Sequence, residues 1–154
     1  MRTSAGILVY RLGGAAREVL LGHMGGPFWA GRDDGAWSIP KGEIEVGEEP
    51  LDGARREFRE EVGHAPPDGP LLDLGEVRGR GKRVRAWAVE GDFDPAAIRP
   101  GLFEMEWPPR SGRIQSFPEL DRVAWHGLDD ARRRVVKSQV ELLDRLDALL
   151  DGRR

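Results

Sequence analysis

The chain has 154 residues, no cysteine, and 24 lysines and arginines against 27 aspartates and glutamates, for a net charge of −3. This length is typical of one domain, and we expect a single domain over residues 1–154. The lack of cysteine excludes disulfide frameworks, cysteine nucleophiles and thiolate metal sites. The slightly negative charge argues against a general binder of long nucleic acid.

The sequence shows no targeting segment and no membrane-spanning segment. The apolar run near the N-terminus is confined to residues 7–10, whereas a signal peptide needs about 7–15 apolar residues and a bilayer span needs about 20. We therefore expect a soluble, cytoplasmic protein with no membrane partner. The sequence does not determine its oligomeric state.

The first half of the chain alternates short strands with glycine-rich connections. Residues 4–10, 18–23 and 37–39 read as strands, and residues 24–36 form a glycine-rich loop between the second and third. A helix is predicted over residues 51–62. Pro50 suits its first turn and Gly63 its C-cap.

The second half repeats this order of strands followed by a helix. The remaining predicted strands cover residues 71–80, 83–90, 103–107 and 122–126. A last helix is predicted over residues 128–150, with a break near Val136. This order predicts an α/β fold, in which a mixed sheet carries a helix on each face.

Acidic residues cluster on one face of the predicted 51–62 helix. At about 100° per residue, Glu57, Glu60 and Glu61 share a face that is separate from the apolar one. Like charges at this spacing cost about 0.2–0.5 kcal/mol per pair, which a hard divalent cation such as Mg²⁺ would offset. The alternative is neutralisation by the interleaved arginines, which are Arg55, Arg56 and Arg59.

The spacing around the helix favours the metal site over a solvated face. Gly42 is followed after five residues by Glu48, and after seven more by Arg-Glu-Phe-Arg-Glu-Glu-Val-Gly at 56–63. This resembles the Nudix box, Gly-x5-Glu-x7-Arg-Glu-U-x-Glu-Glu-x-Gly-U, where U is bulky and apolar. Every fixed residue is present, Phe58 fits the first U, and His64 departs from the second. The flanking order of strands is also similar to the Nudix α/β/α sandwich.

The resemblance implies a reaction and a set of site residues. Nudix proteins typically hydrolyse a diphosphate linkage in a nucleoside diphosphate joined to another group, with Mg²⁺ or Mn²⁺ as cofactor. By position, the implied metal ligands are Glu57, Glu60, Glu61 and the carbonyl of Gly42. The implied catalytic residues are Glu57 or Glu60 as the general base and Arg56, which orients a glutamate.

Further site residues are predicted outside the motif. Nudix enzymes often recruit an extra acid, for which Glu104 and Glu106 are the candidates; a polar outer strand face is the alternative for them. Lys41 precedes the box glycine and is the first candidate for binding phosphate. The other substrate-binding candidates are arginines of the 78–85 hairpin, above all Arg85, and the aromatic residues Phe28, Trp29 and Trp87, which offer flat surfaces to a base.

The leading prediction is a metal-dependent pyrophosphohydrolase that acts on a small-molecule nucleotide. Residues 37–43, Trp-Ser-Ile-Pro-Lys-Gly-Glu, are similar to the lead-in of Nudix dinucleoside polyphosphate hydrolases, which makes a diadenosine polyphosphate one candidate substrate. Mononucleotides, sugar nucleotides and capped RNA ends are alternatives. The competing class is a Nudix-fold sensor that binds nucleotide without cleaving it, although such proteins usually lose box glutamates and none is lost here.

Overall fold

The computed structural model describes residues 2–14 and 16–152. Its strands, in chain order, are β1 (Arg2–Gly13), β2 (Ala16–Met24), β3 (Trp37–Ser38), β4 (Lys41–Glu43), β5 (Leu71–Gly79), β6 (Lys82–Glu90), β7 (Leu102–Glu106), β8 (Ile114–Pro118) and β9 (Leu120–Gly127). Its helices are α1 (Pro50–Val62), α2 (Leu128–Arg134) and α3 (Val140–Asp151), with 3₁₀ turns at Pro95–Ala97 and Lys137–Gln139.

Most of the described strands join in one mixed sheet. Its order is β3-β2-β1-β6-β5, while β4 pairs with β1 and β9 pairs with β2. Strands β1 and β6 run parallel, and the other pairs are antiparallel. Strands β7 and β8 form a separate two-stranded sheet. The predicted α/β fold with a mixed sheet is confirmed.

The central strand β1 is buried on both faces because helices cover both sides of the sheet. Its side chains alternate: Ala5, Ile7 and Val9 pack in one cluster with Ala54, Phe58 and Val62 of α1. On the opposite face, Leu8 and Tyr10 pack with three leucines of α3, which are Leu142, Leu143 and Leu146. The result is three layers, with α1 on one side and α2 and α3 on the other.

Helix α1 begins and ends where its sequence predicts. Pro50 stands in the first turn, and Asp52 places a negative charge near the positive end of the helix dipole. Gly63 adopts the left-handed conformation at φ 83° and donates its N–H to the carbonyl of Arg59. A side chain at Gly63 would also collide with the main chain of Arg99, since an ideal Cβ would lie 2.3 Å from that carbonyl oxygen.

Two short strands are absent from the sequence prediction. Strands β4 and β8 depend on distant partners, β1 and β7, rather than on a local pattern. The predicted break near Val136 is confirmed, because α2 ends at Arg134 and α3 begins at Val140. Across the described ranges, no helix combines the length and the apolar character that crossing a membrane requires.

Candidate active site

Strand β4 lies directly against the carboxylate face of α1. An ideal Cβ built on Gly42 would fall 2.0 Å from the carboxyl carbon of Glu57, so only glycine lets this carboxylate approach the strand. The Glu57 side chain is only 15% exposed, and burial raises its pKa. The resemblance predicted that Gly42 and Glu57 act together, and the fold brings them into contact.

Glu61 lies beside the same strand and contacts Lys41, the residue that precedes Gly42. The main-chain N–H of Lys41 donates to Oε1 of Glu61 at 3.1 Å. Burial raises the pKa of Glu61 to about 8, against the opposing charge of Lys41. Burial likewise lowers the pKa of Lys41, although Glu61 attracts its ammonium group. Glu61 and Lys41, an acid and a base that are both largely buried, thus lie together at the start of β4.

Arg56 joins the helix to the loop that precedes it. Its guanidinium donates to Glu48 from Nε at 2.9 Å and from Nη2 at 3.0 Å, which lowers the pKa of Glu48 to about 2. The same group donates from Nη1 to Glu57 at 2.9 Å and to Glu60 at 3.2 Å, and from Nη2 to the carbonyl of Glu43 at 3.1 Å. Arg56 therefore orients three glutamates of the motif at once, Glu48, Glu57 and Glu60.

The three glutamates that are predicted to bind metal, Glu57, Glu60 and Glu61, do not converge on one point. The side chain of Glu60 is 57% exposed and turned toward Arg56, whereas Glu57 and Glu61 face β4. Within residues 2–14 and 16–152, no three histidine, aspartate or glutamate side chains are grouped closely enough to hold a metal ion. The chemistry of the donors still fits Mg²⁺ or Mn²⁺, because all are carboxylate or carbonyl oxygens, and because burial raises the pKa values of Glu57 and Glu61 even beside their cationic neighbours.

A cavity of about 220 Å³ opens beside these groups. The residues that line it include Lys41 and Glu61, together with Trp29, Phe103 and Glu119. The charge of Glu119 raises the pKa values of both Glu57 and Glu61, after the larger effect of burial. The cavity is therefore acidic on the side of α1 and aromatic on the side of the 24–36 loop.

Glu119 lines this cavity, and sequence reasoning did not single it out. It lies between β8 and β9, where its N–H donates to the carbonyl of Gly101 at 2.8 Å and its own carbonyl accepts from Gly25 at 3.1 Å. No motif marks it, and β8 itself was not predicted. The predicted extra acids lie elsewhere: Glu104 is exposed on β7, and Glu106 accepts from the main-chain N–H groups of Arg110 and Gly112 in the next turn.

The predicted aromatic and cationic residues divide into two groups. Trp29 lines the cavity, and Phe28 is 58% exposed beside it, with the two rings in an edge-to-face arrangement 5.0 Å apart. Arg85 and Trp87 are not among the residues that line the cavity. Arg85 instead pairs with Asp73, which lowers the pKa of that acid, and stacks 4.4 Å above the Trp87 ring.

Comparison with known proteins agrees with this geometry. A model of the NUDIX domain matches residues 1–146. The chain belongs to the NUDIX family. It is 31% identical over 117 residues to an RNA pyrophosphohydrolase of Rhizobium meliloti (strain 1021), covering 65% of this chain and 64% of that protein. It is 36% identical over 129 residues to an RNA pyrophosphohydrolase of Brucella anthropi, covering 65% of this chain and 67% of that one. The chain thus spans slightly less than two thirds of the length of the first relative.

Solved structures share the fold at lower sequence identity. A C. elegans Ap4A hydrolase in a binary complex superimposes with a TM-score of 0.64 and 22% identity, covering 99% of both chains. The NUDIX domain of Shewanella oneidensis NrtR, complexed with ADP ribose, gives a TM-score of 0.65 and 16% identity, covering 97% of this chain and 88% of that one. These likenesses establish the Nudix fold.

Proposed function

We propose that this chain is a metal-dependent pyrophosphohydrolase that cleaves a diphosphate linkage in a nucleoside polyphosphate or a nucleoside diphosphate derivative. The observation that carries the proposal is the approach of Glu57 and Glu61 to β4, next to Lys41 at the mouth of a cavity. A polyphosphate is strongly anionic, so its binding requires cations, and its hydrolysis requires a carboxylate that accepts a proton from water. A cation, Lys41, and two carboxylates, those of Glu57 and Glu61, meet at the start of β4.

The divalent cation would be held by Glu57, Glu60, Glu61 and the carbonyl oxygen of Gly42. When bound, Mg²⁺ or Mn²⁺ neutralises phosphate charge and lowers the pKa of water. Glu60 is the most exposed of the three acids and accepts from Arg56, which would hold it in place in the set. Glu119 faces the same cavity, and we add it to the acidic residues that act there.

The other side chains bind and orient the substrate. Lys41 is partly buried at the cavity and binds phosphate oxygens that do not react. Glu57 or Glu60 accepts the proton from the attacking water, and Arg56 holds both in place through its bonds to each. The ring of Trp29, with Phe28 beside it, offers a flat surface for a base. Contacts of Arg85 and Trp87 with substrate stay predictions, since both lie outside the cavity.

Two kinds of substrate follow from different observations. Residues 37–43 are similar to the lead-in of dinucleoside polyphosphate hydrolases, which favours a diadenosine polyphosphate. The curated relatives from Rhizobium meliloti and Brucella anthropi are both RNA pyrophosphohydrolases, which favours the 5′ polyphosphate end of an RNA. Both substrates present a diphosphate linkage next to a nucleoside, and the same site serves either.

We also propose that residues 1–154 act as one domain. The family model spans residues 1–146, and α3 packs its leucines against the same sheet that carries β4. Met1, Ala15, Arg153 and Arg154 lie outside the described residues. The cytoplasmic location stays a prediction from the sequence.

The deciding experiment is incubation with a nucleotide panel in the presence of Mg²⁺, followed by identification of the products by mass. The panel contains diadenosine polyphosphates, nucleoside triphosphates, sugar nucleotides and short 5′-triphosphorylated RNA. Water enriched in ¹⁸O identifies the attacked phosphorus, and omission of Mg²⁺ is the control. Binding of a nucleotide, detected as a shift in Tm, without turnover of any member would favour the sensor and overturn the proposal.

A further inference from the structure

The turn that joins β5 to β6 gathers exposed cations at one edge of the sheet. Gly79 pairs with Lys82 across the turn, and Lys82 pairs in turn with Arg2 of β1. The main-chain N–H of Arg2 donates to the carbonyl of Gly81 at 3.1 Å, so the start of β1 is attached to the turn. The cations brought together, named here the hairpin surface, are Arg2, Arg78, Arg80 and Lys82.

These four cations have no acidic partners among the described residues. The consecutive arginines of α2, by contrast, pair with carboxylates. Arg132, Arg133 and Arg134 of α2 each form an ion pair with an aspartate. The side chains of the hairpin surface are exposed and form no such pair, so their charge is available to a ligand.

The hairpin surface adjoins the active site. A second cavity of about 260 Å³ is lined by Arg80 and Lys82 together with Trp29, Ser38 and Lys41. The last three residues also line the active-site cavity. The two cavities therefore adjoin at Lys41, with Glu61 and Glu119 in the first and Arg80 and Lys82 in the second.

We propose that the hairpin surface binds the phosphodiester backbone of the first nucleotides of a single-stranded RNA whose 5′ polyphosphate occupies the active site. This rests on the function proposed above and names a substrate class for it. The anions of a mononucleotide or a dinucleoside polyphosphate are confined to the reacting linkage, where Lys41 and the metal-binding acids lie. Only a chain that carries further phosphates beyond the first nucleoside brings negative charge to the turn.

The inference agrees with the net charge of −3. That value argues against extended contact with long nucleic acid, and the hairpin surface provides only a few cations for the first linkages. The acids of β4 and α1 repel a backbone from the opposite direction, so the chain leaves the active site along the cationic side. Backbone phosphates contribute affinity that does not depend on base sequence and falls as salt rises.

The test compares 5′-triphosphorylated RNA of two and of six nucleotides as substrates in Mg²⁺, by kcat/KM. We expect the longer substrate to be preferred at low salt. Three phosphate contacts on a single strand would reduce that preference about 10–20-fold between about 50 and 200 mM NaCl. The variant Arg80→Gln with Lys82→Gln, at the two cations that line the second cavity, removes two of these contacts and should leave a salt effect of about 2–3-fold, while cleavage of the dinucleotide is unchanged.

The matched control is Arg55→Gln with Arg59→Gln, which removes two exposed arginines that line a different cleft with the 65–69 loop. Its preference for the longer RNA should equal that of the wild type. Lys82→Gln is the second variant, since a change of one exposed side chain preserves folding. Equal cleavage of both lengths, with no salt effect on their ratio, would overturn the inference and leave the proposed function intact. Failure to cleave either RNA or any nucleotide of the panel would overturn both.

Discussion

The main-chain N–H of Gly101 donates to the carbonyl oxygen of Glu60 at 2.9 Å, which fastens the segment before β7 to the last turn of α1. The carbonyl of Gly101 in turn accepts from the N–H of Glu119 at 2.8 Å. Gly101 thus connects the helix that carries the motif to the acid that lies outside it. An ideal Cβ at this position would lie 2.7 Å from the Glu60 carbonyl oxygen.

This contact makes Gly101→Ala a test of how precisely the acids are placed. The added methyl group pushes the segment away from α1 and shifts Glu119 relative to Glu61. A displacement of about 1 Å in an active site can cost about 100-fold in rate, so we expect kcat to fall more than KM changes. Gly127→Ala is the control, because its Cβ would meet nothing within 4 Å. Equal activity of the two variants would show that the segment does not position Glu119.

Glu60→Gln tests the assignment of the motif glutamates. The side chain is 57% exposed, so the fold should be preserved, and the loss of a carboxylate that binds metal or accepts a proton should lower kcat about 10²–10⁴-fold. Steady-state kinetics and circular dichroism measure the two effects. Glu49→Gln, at an exposed acid just before the same helix, should keep wild-type activity. Near-normal turnover in Glu60→Gln would mean that the metal site is misplaced.

Glu119→Gln distinguishes the acid found in the structure from the two predicted on β7. Because Glu119 lines the cavity and Glu104 is not among the residues that do, we expect kcat/KM to fall about 10–100-fold in the first variant. In Glu104→Gln it should change less than about twofold, as for a surface substitution. The reverse ranking would restore Glu104 as the additional acid of the site.

Glu61→Gln should stabilise the metal-free protein and abolish its response to Mg²⁺. Burial raises the pKa of this carboxyl from 4.5 to about 8, so between these pH values the folded protein must hold a proton that the unfolded chain releases, which lowers stability progressively as pH rises. A gain of about 1 kcal/mol would raise Tm by about 2–4 °C in a protein of this size. Thermal unfolding in EDTA measures the gain, and titration with Mg²⁺ should raise the Tm of the wild type only. An equal rise in both proteins would remove Glu61 from the metal ligands.

Gln139 is a buried link between α3 and the strand that leads to Lys41. Its Oε1 accepts from the N–H of Ile39 at 3.0 Å, and its Nε2 donates to Oγ of Ser38 at 2.9 Å. Gln139→Ala leaves the buried N–H of Ile39 without a partner, while Ser38 keeps its bond to the carbonyl of Ile39 at 2.7 Å; the loss should cost about 1–3 kcal/mol. Urea unfolding at constant m measures the loss. The exposed Gln115→Ala should change stability by less than about 0.5 kcal/mol, and similar values for both variants would contradict the role of Gln139.

Local patterns account for what the sequence predicted well. The helical repeat alone places Glu57, Glu60 and Glu61 on one face, and Pro50 and Gly63 bound that helix by their restricted or permissive backbones. The alternation of β1 explains its burial between two helical layers. Each of these features depends on residues within a few positions of one another, so each can be read without knowledge of the fold.

The sequence by itself therefore determined the family, the α/β class, and the helix whose acids define the candidate chemistry. Only the tertiary structure decided that Glu119 rather than Glu104 lines the cavity, and that Arg85 turns to Asp73 while Arg80 and Lys82 meet no acid among the described residues. These outcomes depend on which distant strands pair and in which register, as when β9 joins β2 or β1 joins β6. A pattern confined to one segment carries no information about such partners, because burial and pairing are properties of the assembled sheet.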